Sequence, residues 1–231
     1  MMTNSMQRIR AATALLGVFV VTGACPTHAS QVFNQPTDLN GAYASQNDTS
    51  GGLGNFATVY DNFTIGTGAT ITDVSWVGSY FNGAPAAISG FTLAFYADNA
   101  GQPGAALATE FIAGNANETS LGLDNAGDPA FSYSATLTTT FAAAAGTQYW
   151  LSIVADMGFP PQWGWEYGTG GDSSAYQDFL GGRSHLANDF AFSLDGVPLS
   201  AVPEPGTLTS ACTAVLAGLG CTWRRRRRTA A

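Results

Sequence analysis

Apolar and polar side chains alternate along most of the chain, in short runs broken by glycine, asparagine, aspartate and proline. A period of two sends successive side chains to opposite faces of a strand, so that one face is buried and the other meets water. Phe91, Leu93 and Phe95 alternate with Thr92, Ala94 and Tyr96, and Phe131, Tyr133, Ala135 and Leu137 form a second row. Tyr149, Leu151 and Ile153 form a third. Phe190, Phe192 and Leu194 form a fourth, opposite Asp189, Ser193 and Asp195. The Phe91, Leu93, Phe95 row and the Phe190, Phe192, Leu194 row are expected to face the core. Further strands are predicted at 58–65, 71–81, 107–113 and 163–167, with polar glycine-rich loops at 46–55 and 169–174. Between the two ends no long segment has helical spacing with caps, and no repeat of fixed period marks a solenoid or propeller. Eight or nine short strands separated by turn residues argue an all-β domain, an antiparallel β-sandwich of the jelly-roll type.

The two ends follow different patterns. Arg8 and Arg10 precede a short apolar run at 11–24, and Thr27-His28-Ala29 places small residues at −3 and −1 of a cleavage site before Ser30. This is the pattern of a secretory signal peptide, 1–29, with a helical leader that is set aside from the fold. Val21-Thr22-Gly23-Ala24-Cys25 loosely matches a lipobox, which would lipidate Cys25 instead. At the other end, Val202, Pro203, Glu204 and Pro205 are followed by an apolar run at 206–223 and by Arg224, Arg225, Arg226, Arg227 and Arg228. As a helix the run would extend roughly 27 Å, at about 1.5 Å per residue. That barely matches a hydrocarbon core of about 30 Å, which suits a temporary anchor. The arginines would hold the cytoplasmic side while the preceding chain is exported. Between the ends lies one domain, 30–201, long enough for a real core.

The order Pro-Glu-Pro, apolar span, arginine cluster resembles the PEP-CTERM sorting signal of Gram-negative bacteria, over 202–228. The resemblance implies a transmembrane sorting helix that an exosortase removes near the tripeptide. The protein would be held transiently in the inner membrane and then passed to the cell surface or the extracellular space. Signal peptidase and exosortase are the implied partners, and many carriers come from bacteria that make extracellular polysaccharide. Residues 95–104 also resemble a strand and turn seen in secreted bacterial jelly-roll modules, and Trp163-Gly164-Trp165 is similar to segments of uncharacterised exported proteins.

Charge and composition narrow the chemistry. Fifteen of the sixteen acidic residues fall between Gln31 and Val202 with a single basic residue, Arg183, so the exported part carries a formal charge of −14. Such a surface excludes nucleic acid, whose phosphates demand cations. It suits calcium, neutral glycans and solubility outside the cell. The same part has no cysteine, no lysine and one histidine, His185. Disulfide staples, a thiol nucleophile and a cysteine zinc site are excluded. No Gly-x-Ser-x-Gly elbow accompanies His185. A lone histidine falls short of the usual nitrogen and sulfur ligand set of zinc. The reading is therefore a non-enzyme, with a carboxylate glycosidase as the one catalytic option and Glu166 as its most suggestive acid.

Two ligand sites are legible. Trp163, Trp165 and Tyr167 share one face of a predicted strand, with Glu166 opposite. Exposed, they would form a platform for sugar rings with Glu166 as a hydroxyl acceptor; buried, they would fill the core with Trp76 and Trp150. Calcium is suggested at Asp98 and Asn99 beside the Gly101 turn, and by the oxygen-rich run Asp124-Asn125-Ala126-Gly127-Asp128. Neither run has EF-hand spacing, and both fit ordinary turn chemistry. No other cofactor is expected. The functional expectation is an exported, exosortase-processed, non-catalytic protein of the surface or extracellular matrix. The alternative is a carbohydrate-binding module for extracellular polysaccharide.

Overall fold

The computed structural model describes residues 28–199. The signal-peptide assignment and the sorting residues Val202 to Pro205 and Arg224 to Arg228 therefore lie outside the described residues, apart from the last two leader positions. Among the described residues no helix is long and apolar enough to cross a membrane.

In chain order the strands are β1 (Ser30–Gln35), β2 (Thr37–Ala44), β3 (Gln46–Asp48), β4 (Gly54–Thr64), β5 (Ala69–Phe81), β6 (Gly90–Asp98), β7 (Pro103–Ala113) and β8 (Thr119–Leu123). They continue with β9 (Pro129–Ala143), β10 (Gln148–Met157), β11 (Gln162–Gly168), β12 (Ala175–Phe179), β13 (Gly182–Leu186), β14 (Asp189–Phe190) and β15 (Phe192–Pro198). They form two sheets of eight and seven strands, and the described part is an all-β sandwich.

The first sheet is built around β5. One of its edges pairs with β9 along nearly its whole length. The other edge is shared: β15 takes residues Ala69 to Trp76, and β11 takes Gly78 to Phe81. At the fork between them the Ala191 carbonyl accepts both the Val77 amide and the Trp165 indole, and the Ala191 amide donates to the Glu166 carbonyl. In the second sheet the order is β13-β12-β4-β3-β10-β6-β7. β4 and β10 pair directly at one end and splay at the other, where β3 is wedged between them, parallel to β10.

The core lies between the sheets and is strongly aromatic. Phe91 of the second sheet meets Trp76 and Trp163 of the first edge to face, at 5.0 and 5.3 Å between ring centroids, and Phe95 stacks on Phe141 at 4.4 Å. Such pairs add to the area that large rings bury. The two rows expected to face the core, Phe91, Leu93, Phe95 and Phe190, Phe192, Leu194, are buried, and Tyr133, Leu137, Leu151 and Ile153 are buried with them. Phe131, Ala135 and Tyr149 pack against this core half-buried. Polar ties also cross the interior. Asp61 of β4 accepts the Gln35 side-chain amide at 2.6 Å and the Phe190 backbone amide at 2.7 Å, both from the other sheet. Burial pushes the Asp61 carboxyl well above its usual range.

The strand count exceeds the eight or nine expected. β1, β2, β3, β12 and β13 carry no clear alternation of large apolar residues, and β3 occupies part of the predicted 46–55 loop. Pairing with neighbours, rather than burial of one face, makes these segments strands.

Candidate functional site

The aromatic stretch of β11 is inside the protein, the buried one of the two alternatives that the sequence leaves open, so the candidate glycan platform of Trp163, Trp165, Glu166 and Tyr167 is not exposed. Trp163 and Trp165 are 0% exposed, and Tyr167 is half-buried. The three do share a face, but it is the core face. Trp163 donates its indole N–H to the Tyr133 hydroxyl at 3.1 Å, and Trp165 packs on Phe190 and Phe192. Gly78 on the neighbouring strand leaves the space that the Trp163 ring fills. Rings of this size dominate core energetics, and here the sandwich interior claims them.

Glu166, on the opposite face of β11, is also sealed from solvent at 0% exposure. It is closed over by the 124–128 turn and by an irregularity in β2 at Leu39 and Gly41, both at positive φ. The turn and β2 are tied together, with Asn125 donating its backbone N–H to the Leu39 carbonyl and its side-chain amide to Asn40. Neither Glu166 carboxylate oxygen makes a hydrogen bond of good geometry, although the Ser79 hydroxyl and the Gly41 amide are donors beside it and the Asp124 carboxylate is its neighbouring acid. Burial, reinforced by the Asp124 charge, pushes the Glu166 carboxyl up to about 7.

The Asp98 carboxylate, suggested for calcium, is otherwise engaged. One oxygen accepts the Trp150 indole N–H at 2.9 Å and the other accepts the Gly101 amide at 3.1 Å, while Asn99 is exposed in the turn. That is turn chemistry capping a tryptophan. No group of three or more His, Cys, Asp or Glu side chains is gathered around a point among the described residues. His185 lies on the surface, 3.1 Å from the Ser174 hydroxyl. No carboxylate among the described residues hydrogen-bonds its other nitrogen, so no triad is assembled.

What the sequence did not single out is the outer face of the second sheet. There the polar members of each alternation come together: Tyr60 and Thr58 from β4, Thr92 and Tyr96 from β6, and Ser152 and Asp156 from β10, with Val154 between the last two. With Asn47 and Asn55 they line a depression of about 190 Å³ over the place where β4 and β10 splay. Tyr60 and Tyr96 meet edge to face at 5.3 Å. The Tyr96 and Ser152 hydroxyls are 3.2 Å apart. Asp156 accepts the Asn47 side-chain amide at 2.6 Å and the Thr92 hydroxyl at 2.9 Å.

The sheet curls around this face. Arg183 of β13, at one end of the strand order, reaches the Pro103 carbonyl of β7 at the other end. Trp150 points to the same face yet is fully buried beneath the arch. Arg183 is spent internally: it grips Asp178 with two hydrogen bonds of 2.7 and 2.8 Å and lies 5.2 Å above the Tyr60 ring. The Asp178 carboxyl is held below its usual range by that contact. Burial, with Tyr96 and Asp178 beside it, pushes the Tyr60 hydroxyl up, so it stays neutral. The face thus offers amides, hydroxyls, a carboxylate and tyrosine rings, with its cation already paired.

A larger depression, about 380 Å³, lies at the fork in the first sheet. Its floor includes the cross-strand row Asn34, Ser193, Ser75 and Ser134, joined by register. The outward-facing members of this row are short and uncharged and bring no ring to a ligand.

Residues 30–178 match the family model described as a domain of unknown function (DUF7901), which covers most of the chain, so the chain belongs to that family. The match ends within β12, although β15 completes the first sheet by pairing with β1 and β5. No curated protein and no solved structure matches the chain.

Proposed function

We propose that this chain is an exported, non-catalytic protein of the cell surface or extracellular matrix, with a two-sheet sandwich of the jelly-roll type. The observation that carries the reading is the ordered tail: Pro203-Glu204-Pro205, an apolar span, then Arg224 to Arg228. Signal peptidase would remove the leader and an exosortase the tail, leaving a strongly acidic, cysteine-free domain outside the cell. The burial of Glu166, the acid the sequence singles out for glycoside chemistry, fits this reading, since its carboxyl is closed off from any substrate. Mass spectrometry of the surface fraction is the test. Cleavage is expected near Ala29 and close to Pro203-Glu204-Pro205, so that neither terminal segment is recovered. Intact Arg224 to Arg228 on a mature surface protein would overturn the exosortase assignment.

A second reading, retention of neutral polysaccharide, is favoured by the depression beneath Tyr60 and Tyr96. Its volume lies below the about 300–1,000 Å³ of drug-sized ligand sites, which suits one sugar ring or the edge of a longer chain. Sugar hydroxyls would pair with Asn47, Asn55, Thr92 and Asp156, and the apolar face of a ring would lie against Tyr96. This reading moves the binding face from Trp163, Trp165, Glu166 and Tyr167 to the outer surface of the other sheet.

A further inference from the structure

Five buried side-chain polar atoms have no hydrogen-bond partner among the described residues: the Trp76 indole nitrogen, Ser79 Oγ, Asp124 Oδ2 and both carboxylate oxygens of Glu166. All four oxygens belong to the set gathered around Glu166. They come from three separate elements, β5, the 124–128 turn and β11. A buried polar group without a partner is costly, and a buried carboxylate far more so unless something compensates it. Four such oxygens from three elements in one place form a donor set that a cation would compensate.

The second oxygen of Asp124 shows that the arrangement is built. Asp124 Oδ1 accepts the backbone amides of Ala126 and Asp128, at 2.9 and 2.8 Å, which folds the turn and fixes the carboxylate. Oδ2 is then left bare and buried at the Glu166 site. The turn is locked in place by the Asn125 contacts to Leu39 and Asn40. Two carboxylates and a hydroxyl thus face one another behind a closed cover, with no cationic side chain beside them.

We propose that Glu166, Asp124 and Ser79 bind a hard divalent cation, calcium, between the first sheet and the 124–128 turn. Calcium takes six to eight oxygen ligands at about 2.3–2.6 Å. Here the chain supplies four side-chain oxygens and two formal negative charges, and water would complete the shell. The donor set holds no nitrogen or sulfur, which disfavours zinc. The site differs from the one suggested at Asp98 and Asn99. It pairs the Asp124 run with Glu166, a residue distant in sequence. It lies on the other sheet from the Tyr60 and Tyr96 depression and does not depend on the glycan reading.

The test uses the full-length chain purified in detergent, with thermal unfolding followed in EDTA and in calcium. At a hundredfold excess over the dissociation constant, a cation that binds only the folded state should raise the midpoint by about 5–10 °C for a domain of this size. Terbium offers a second readout, because Trp165 directly precedes Glu166 and Tyr167 directly follows it, and these rings would sensitise its luminescence. Glu166→Gln and Asp124→Asn should abolish both the calcium shift and the terbium signal. Asp98→Asn should leave both intact. A wild-type midpoint that is the same in EDTA and calcium would overturn the proposal, whatever the variants do. It would leave the two carboxyls sharing a proton or a water. A terbium signal that survives Glu166→Gln would place the cation elsewhere and overturn the assignment equally.

Discussion

Trp165→Ala should destabilise the domain by about 3–5 kcal/mol, the range for deleting a large buried aromatic. The ring is wholly buried, lies 5.5 and 5.6 Å from Phe190 and Phe192, and donates its indole N–H to the Ala191 carbonyl at 2.9 Å. Removing it opens a cavity in the fork of the first sheet and leaves Ala191 without one of its donors. Against a typical stability of about 5–15 kcal/mol, such a loss brings the domain close to unfolding. Denaturant titration should show a lower midpoint with an unchanged slope. On an exposed platform the same substitution would cost within about 0.5 kcal/mol. A loss that small would place the ring outside the core.

Gly78→Ala should cost about 3 kcal/mol or more, at the upper end of overpacking effects. A Cβ at Gly78 would stand 2.2 Å from the Trp163 ring and 2.8 Å from the Gly164 carbonyl. The ring has nowhere to go, since it is enclosed by Phe91 and Tyr133 and bonded to the latter. Combining Gly78→Ala with Trp163→Phe should therefore cost less than the sum of the two single losses, because the smaller ring vacates the contested space. Strict additivity in the unfolding free energies would show that the two residues do not compete.

These two positions also show what was legible in the sequence. The row Trp163, Trp165, Tyr167 was visible as one face of a strand, because period two is a local property. Whether that face met water or the core was not, because the answer lies in Gly78, Phe91 and Phe190 on other strands. The apolar rows at Phe91 and Phe192 were legible for the same local reason. By contrast, β1 to β3, β12 and β13 lack a large apolar stripe and are strands by virtue of their partners. The Tyr60 and Tyr96 depression assembles outward-facing polar residues from four strands, so no single segment announces it. Its one local signal was Tyr96, an aromatic on the polar side of an alternating strand. The meeting of Glu166 with Asp124 and Ser79 depends on the β5–β11 pairing and on the docking of a turn, neither of which has a sequence signature.

The most direct test of the second sheet's outer surface as the ligand face is retention of the full-length chain on the producing organism's own neutral polysaccharide. Wild type and Tyr96→Ala should be compared at low and high salt. Tyr96 is only half-buried, so the variant should fold, yet it loses the ring that a sugar would lie against. The account predicts retention by the wild type that changes little with salt, since stacking and hydrogen bonds are not screened as exposed charges are. It predicts about a tenfold or greater weakening in the variant, the equivalent of about 1.4 kcal/mol. Equal retention of the two proteins, or retention that collapses as salt is raised, would contradict it.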